Sequence, residues 1–209
     1  MMEKRTELFV EQQIKKAKEN GINVILSNLK TIGYVGDETC QVNGYFVDRP
    51  TKELAVACGQ EESRWLSLFA HESSHMDQFL ENSEVWNNIF INGRESLDYV
   101  MDWVKGEEIE KELISDYIER AFQVELDCEK RTLEKIKNFN LDIDQKEYVK
   151  KANSYITFYY IMEKIRKWYI VGKEPYNLVE VWSEMPDNFS CDYKKLAEDK
   201  FEIYIKYCF

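Results

Sequence analysis

The residues best suited to chemistry are the two histidines, His71 and His75, which are the only histidines among the 209 residues. They enclose Glu72 in the pattern H-E-x-x-H. On a helix, residues four apart lie one turn apart on the same face, so both imidazoles can reach one metal ion. Zinc lowers the pKa of a bound water to about 7, and a neighbouring carboxylate can then take its proton. The pattern predicts a Zn²⁺ site with both histidines as ligands and Glu72 as general base.

The third zinc ligand must come from another residue type, because a catalytic zinc typically takes three protein ligands and the chain has no third histidine. Glu, Asp or, less favoured, Cys is expected. The segment V-E-L-D-C-E-K-R places Glu125 and Glu129 four apart on the largely apolar face of a predicted helix. Two carboxylates on such a face repel each other unless a cation lies between them. Periodicity therefore indicates Glu125 or Glu129.

The two motifs together resemble those of gluzincin metallopeptidases, which carry H-E-x-x-H on one helix and E-x-x-x-D on a second. Here Glu125-x-x-x-Glu129 has Glu in place of the usual Asp. The resemblance covers about residues 42–136 and implies that Glu125 binds zinc while Glu129 orients a ligand histidine. The Glu-for-Asp replacement leaves it open that the two exchange roles. Asp77 is a further departure, since the family usually has an apolar residue two positions after the second histidine.

The same resemblance implies an edge strand before the metal helix that pairs with an extended peptide substrate. Residues 53–58 are in the right place, with residues 45–47 as the expected neighbour, although two ordinary hairpin strands fit equally well. Zinc peptidases also supply a donor for the developing oxyanion. With both histidines used, the catalytic candidates are Tyr155 and Tyr159, and beside them Tyr160 and Arg64.

Periodicity and turn residues predict the elements that carry these side chains. Helices are expected over residues 3–20, 63–81, 84–104 with a break at Asn92-Gly93, 107–138, 142–169 with Asp144 as cap, and 191–209; strands over 22–29, 42–47 and 53–58; and a loop over 172–188. The predicted fold is α+β and mainly helical, as one zincin-like domain over residues 1–209. A helix and a small sheet (1–60), packed on the metal helix, would precede the metal-site helices (61–138) and a helical extension (139–209).

Charge and composition limit the partners. The formal net charge is −11, which disfavours binding to nucleic acid and to anionic membranes. The five cysteines are scattered and form no C-x-x-C pair, and no apolar segment suits a signal peptide or a membrane span. A reduced, cytoplasmic protein is expected.

These observations predict a zinc-dependent metallohydrolase, in the first place a peptidase acting on a peptide or protein. The alternative is a non-catalytic zincin-like protein that uses the metal or the cleft to hold a partner. A metal-free structural protein is the third possibility.

Overall fold

A computed structural model describes residues 4–35 and 37–209. The fold is α+β and mainly helical, with about 60% helix and 12% strand, as predicted. The backbone divides into two compact units that interleave along the chain. The first unit runs to Ser83 and resumes at Cys128–Ile143, and the second comprises Glu84–Asp127 and Asp144–Phe209. That residues 1–209 form one domain stays a prediction.

The first unit contains two helices, five strands and the end of a long third helix. These elements are α1 (Lys4–Glu19), β1 (Asn23–Ser27), β2 (Ile32–Tyr34), β3 (Asp37–Val42), β4 (Gly44–Val47), β5 (Glu53–Ala57) and α2 (Glu62–Leu80), followed by the C-terminal part of α5 (Lys111–Phe139). The strands β1, β5 and β4 form a three-stranded sheet in that order, and β2 pairs with β3. The helix α2 contacts both β4 and β5, so it lies against the sheet as predicted.

The strand β5 does not have the position that the resemblance implies. It pairs with β1 in parallel on one side and with β4 antiparallel on the other, so it is the central strand. The prediction that residues 53–58 form a substrate-binding edge is therefore wrong. Four of the five β5 residues are buried, from Leu54 to Ala57, which fits a strand covered by neighbours.

Aromatic packing joins the helices of the first unit. The ring of Phe9 on α1 lies 5.8 Å from that of Phe69 on α2 and 4.9 Å from that of Phe139 at the end of α5. Phe9 and Phe69 are fully buried. Burial of large rings at this junction fixes α2 against α1 and α5.

The second unit is helical apart from one small hairpin. It contains α3 (Glu84–Asn88), β6 (Phe90–Ile91), β7 (Arg94–Glu95), α4 (Ser96–Val104), the first part of α5, α6 (Gln145–Ile165), a 3₁₀ helix (Pro175–Asn177), α7 (Val179–Trp182) and α8 (Tyr193–Cys208). The hairpin corrects the expectation that residues 84–104 are helical on both sides of a break, and the expectation of strands only within about the first 60 residues. Its turn is at the predicted break, where Asn92 and Gly93 both have positive φ. Residues 172–188 include two short helices rather than loop alone.

The helix α6 begins as predicted, because the Asp144 side chain accepts hydrogen bonds from the backbone N–H groups of Lys146 and Glu147. Its buried face packs in the apolar core of this unit, together with residues of α5 and α8. Among the described residues, no helix has the length and apolar character needed to cross a bilayer.

Candidate metal site

The two histidines lie one turn apart on α2 and face the same side. Their ring centroids are 4.8 Å apart, and the ring planes are nearly perpendicular. His75 is buried, and the side chain of His71 retains about one fifth of its exposure. Two neighbouring imidazoles at this separation can each direct a nitrogen toward one cation.

A glutamine fixes the ring of His75. The Nδ1 atom of His75 lies 2.8 Å from Oε1 of Gln78, which is fully buried and three residues further along α2. A carbonyl oxygen only accepts, so Nδ1 of His75 donates the proton, and the lone pair is on Nε2. Histidines that ligate metals are commonly oriented by such a hydrogen bond on the other nitrogen.

The ring of His71 is placed by two residues of α5. Its Nδ1 lies 3.2 Å from Oε1 of Glu129 and 3.6 Å from Sγ of Cys128. Burial alone would disfavour the imidazolium, but the electrostatic and hydrogen-bond contacts with Cys128 and Glu129 outweigh it and raise the pKa of His71 well above its usual value. A cation would be favoured at this position for the same electrostatic reason.

The thiol of Cys128 lies close to both histidines. Each of His71, His75 and Cys128 offers one ligand atom, and the three atoms lie within 4.8 Å of one another. The thiol also donates a hydrogen bond to the backbone oxygen of His71, with 3.3 Å between sulfur and oxygen. Imidazole nitrogens and a thiolate sulfur are donors that Zn²⁺ and similar divalent metals prefer. The residues present therefore fit a zinc ion.

A ladder of polar contacts sets the register between α2 and α5. The Thr132 hydroxyl oxygen lies 3.1 Å from Ser74 Oγ, and Lys135 Nζ donates to Ser73 Oγ at 2.8 Å and pairs with Asp77 Oδ2 at the same distance. These contacts link residues 73–77 of α2 to residues 132–135 of α5. The ladder determines which residues of α5 face His71.

The remaining predicted site residues lie in different surroundings. Glu72 is buried on α2 beside His71. Glu125 lies one turn before Glu129 on α5 but belongs to the second unit. Its role as a zinc ligand stays a prediction from the spacing.

Tyr155 and Tyr159 also belong to the second unit, on α6, and their hydroxyls lie 3.1 Å apart. Tyr159 is fully buried in the core of that unit. Burial raises the pKa of Tyr155 well above its usual value, and the charge of Glu125 raises it further. Their assignment as oxyanion donors stays a prediction.

Sequence reasoning gave too little weight to Cys128 and Gln78. Both carried a signal: Cys128 precedes Glu129 directly and was expected on the apolar face of its helix, and Gln78 follows His75 by three positions, which places it on the same side of α2. The sequence did not show that α5 would present Cys128 to His71, since that depends on the register of two distant helices.

Comparison with protein-family models, with curated proteins and with solved structures finds no match to this chain.

Proposed function

We propose that this protein is a zinc-dependent metallohydrolase, and specifically a peptidase. The observation that supports the proposal best is the oriented pair of histidines on α2. His75 is held through Nδ1 by Gln78, and the ring of His71 lies 4.8 Å from that of His75 on the same side of α2. Two imidazoles placed in this way, with Glu72 between them in the sequence, are typical of hydrolytic zinc sites.

In this proposal His71 and His75 hold the zinc, and the spacing of the acidic residues on α5 assigns the third protein ligand to Glu125 or Glu129. Zinc, when bound there, supplies a Lewis acid that lowers the pKa of water and polarises a carbonyl. Glu72 accepts a proton from the attacking water and passes it to the leaving amine as the C–N bond breaks. Glu72 is buried, as expected for a base that acts away from bulk water.

Metal content tests the first half of the proposal. Protein purified under zinc-replete conditions should carry about one zinc per chain, and His71→Ala and His75→Ala should each lose it. Glu72→Gln is the matched control on the same helix and should keep the zinc, because Glu72 is not a ligand. Wild-type protein without bound metal under these conditions would refute the proposal.

Turnover tests the second half. Wild-type protein should cleave members of a mixed peptide library, with products read by mass spectrometry, and Glu72→Gln should lose at least about 100-fold in rate, as expected for removal of a general base. Cleavage by Glu72→Gln at the wild-type rate would exclude Glu72 as the base.

One observation favours a second candidate, a zincin-like protein that binds a partner without catalysis. The hydroxyls of Tyr155 and Tyr159 contact each other in the helical unit, so neither stands out as the donor that an oxyanion needs. Zinc-loaded wild-type protein that cleaves no library member, and whose fold and metal content are intact, would support this candidate over the peptidase.

A further inference from the structure

The residue that the proposed function leaves without a role is Cys128. Its side chain is fully buried, and it lies on α5 next to Glu129. Buried cysteines are common core residues, so burial alone assigns nothing. Cys128 differs from the other cysteines of the described residues because its sulfur lies within 4.8 Å of a nitrogen of each histidine.

The distances fit a tetrahedral metal site. Zinc binds imidazole nitrogen at about 2.05 Å and thiolate sulfur at about 2.3 Å, so two such ligands at the tetrahedral angle lie about 3.5 Å apart. The separation between His71 Nδ1 and Cys128 Sγ is 3.6 Å. One nitrogen from each histidine and the sulfur of Cys128 also lie within 4.8 Å of one another.

The surroundings also hold the sulfur in a defined position. The thiol is directed toward His71, with the backbone oxygen of that residue 3.3 Å from Sγ. The hydroxyl of Thr132 donates to the backbone oxygen of Cys128 at 2.8 Å and, like Cys128, is fully buried. These contacts hold the sulfur in place before a metal arrives, which lowers the entropy lost on binding.

We propose that Cys128 is the third protein ligand of the metal that His71 and His75 hold, in place of the carboxylate that the sequence predicts. This inference rests on the proposed function, because it concerns the same metal. Binding replaces the S–H bond with a metal–sulfur bond, and the proton leaves to solvent. His71 then uses Nδ1 for the metal, so its hydrogen bond with Glu129 is given up and the carboxylate remains beside the cation as an acidic neighbour.

A set of two nitrogens and one sulfur selects for thiophilic borderline metals. Zn²⁺, Co²⁺ and Cd²⁺ should bind far more tightly than Mg²⁺ or Mn²⁺, which prefer oxygen ligands. The fourth position stays open for water or a substrate carbonyl, as catalytic zinc sites require. The thiolate ligation therefore remains compatible with hydrolysis.

Cobalt substitution tests the inference. Metal-free wild-type protein titrated with Co²⁺ should develop visible d–d bands of a tetrahedral site together with a near-ultraviolet thiolate-to-cobalt charge-transfer band, both complete at about one Co²⁺ per chain. Cys128→Ser should lose the near-ultraviolet band. Cys58→Ser is the matched control, since Cys58 lies on the same unit and is partly buried, and it should keep both bands.

The possible failures can be told apart. Visible tetrahedral bands without the charge-transfer band in wild-type protein would overturn the role of Cys128 and leave the metal site standing. No cobalt spectrum at all in wild-type protein would overturn the proposed function as well. Loss of the visible bands in Glu125→Gln, with the protein still folded, would transfer the ligand role to Glu125 and refute this inference.

A second measurement needs no variant and covers the case in which Cys128→Ser does not fold. X-ray absorption of the zinc-loaded wild-type protein should show one sulfur at about 2.3 Å in addition to nitrogen and oxygen scatterers at about 2.0–2.1 Å. A first shell of nitrogen and oxygen alone would refute thiolate ligation.

Discussion

The carboxylate of Asp77 is the centre of a buried ion network, and its removal should be among the most destabilising polar changes in the first unit. Its two oxygens pair with two lysines, Lys16 Nζ at 2.7 Å and Lys135 Nζ at 2.8 Å. The side chains of Asp77 and Lys135 retain only about one eighth of their exposure, whereas Lys16 is two fifths exposed. The pair with Lys135 therefore carries most of the effect.

The substitution Asp77→Asn keeps the size of the side chain and removes its charge. It leaves the Lys135 ammonium buried without a carboxylate partner, and its acceptors are then neutral, namely the Ser73 hydroxyl and the amide oxygen of the new side chain. Breaking one side of a buried pair costs about 3–5 kcal/mol. Burial already lowers the pKa of Lys135, with the Asp77 charge opposing the shift, so the ammonium can give up its proton and relieve part of this cost. We expect a loss of about 3 kcal/mol, equal to a roughly 150-fold change in the folding equilibrium.

Urea unfolding followed by circular dichroism measures this loss. Lys16→Met is the control for the more exposed ion pair of Asp77 and should lower the free energy of unfolding by no more than about 1 kcal/mol. The double variant Asp77→Asn/Lys135→Met should recover at least half of the single-variant loss, because it no longer buries an unpaired charge. An Asp77→Asn protein within about 1 kcal/mol of wild type, or a double variant no more stable than the single, would refute the reasoning.

Three further changes have expected outcomes that the contacts define. Gly59→Ala should destabilise the first unit by about 1–3 kcal/mol in the same unfolding assay, because a Cβ there would lie 2.3 Å from the backbone oxygen of Asn28; a neutral effect would show that this turn can shift. Burial raises the pKa of the Cys208 thiol from about 9 to about 11, so at pH 8 its alkylation should be at least about 100-fold slower than that of the exposed Cys191, as followed by peptide mass spectrometry. Because this thiol keeps its proton in the fold but loses it near pH 9 when unfolded, stability should fall as pH rises from 9 to 11, and Cys208→Ala should flatten that part of the profile. Asp144→Ala should cost about 1 kcal/mol by removing the carboxylate that accepts from two backbone N–H groups at the start of α6, and no change in stability would contradict the capping role.

Local sequence patterns were sufficient to predict most helices and the common face of the two histidines. The helix that carries His71 and His75 was expected over residues 63–81 and is Glu62–Leu80. Asp144 was identified as a cap because capping depends on residues within one turn. The spacing of the two histidines sets their common face for the same local reason.

Strand pairing was harder to predict because it joins distant segments. Residues 53–58 were expected at an edge, but β1 lies alongside in parallel and makes β5 central. A parallel pair needs a long connection, and here 25 residues separate the end of β1 from the start of β5. A parallel partner so distant leaves no turn signal in the sequence, whereas the hairpin at Asn92-Gly93 was at least marked by its turn residues.

The contacts of Asp77 are an example at the candidate metal site, because they join residues that are distant in the sequence. In the sequence, Asp77 only weakens the resemblance to gluzincins, because an apolar residue is usual at its position. In the structure it anchors the last rung of the ladder in which Ser74 meets Thr132 and Asp77 meets Lys135. A slip of one turn, about 5.4 Å, would move Cys128 away from His71. The charged residue that looks like a departure from the motif therefore fixes the register that brings a sulfur and a carboxylate to the first histidine. A polar rather than apolar contact suits this task, since an unmatched buried charge penalises every other register.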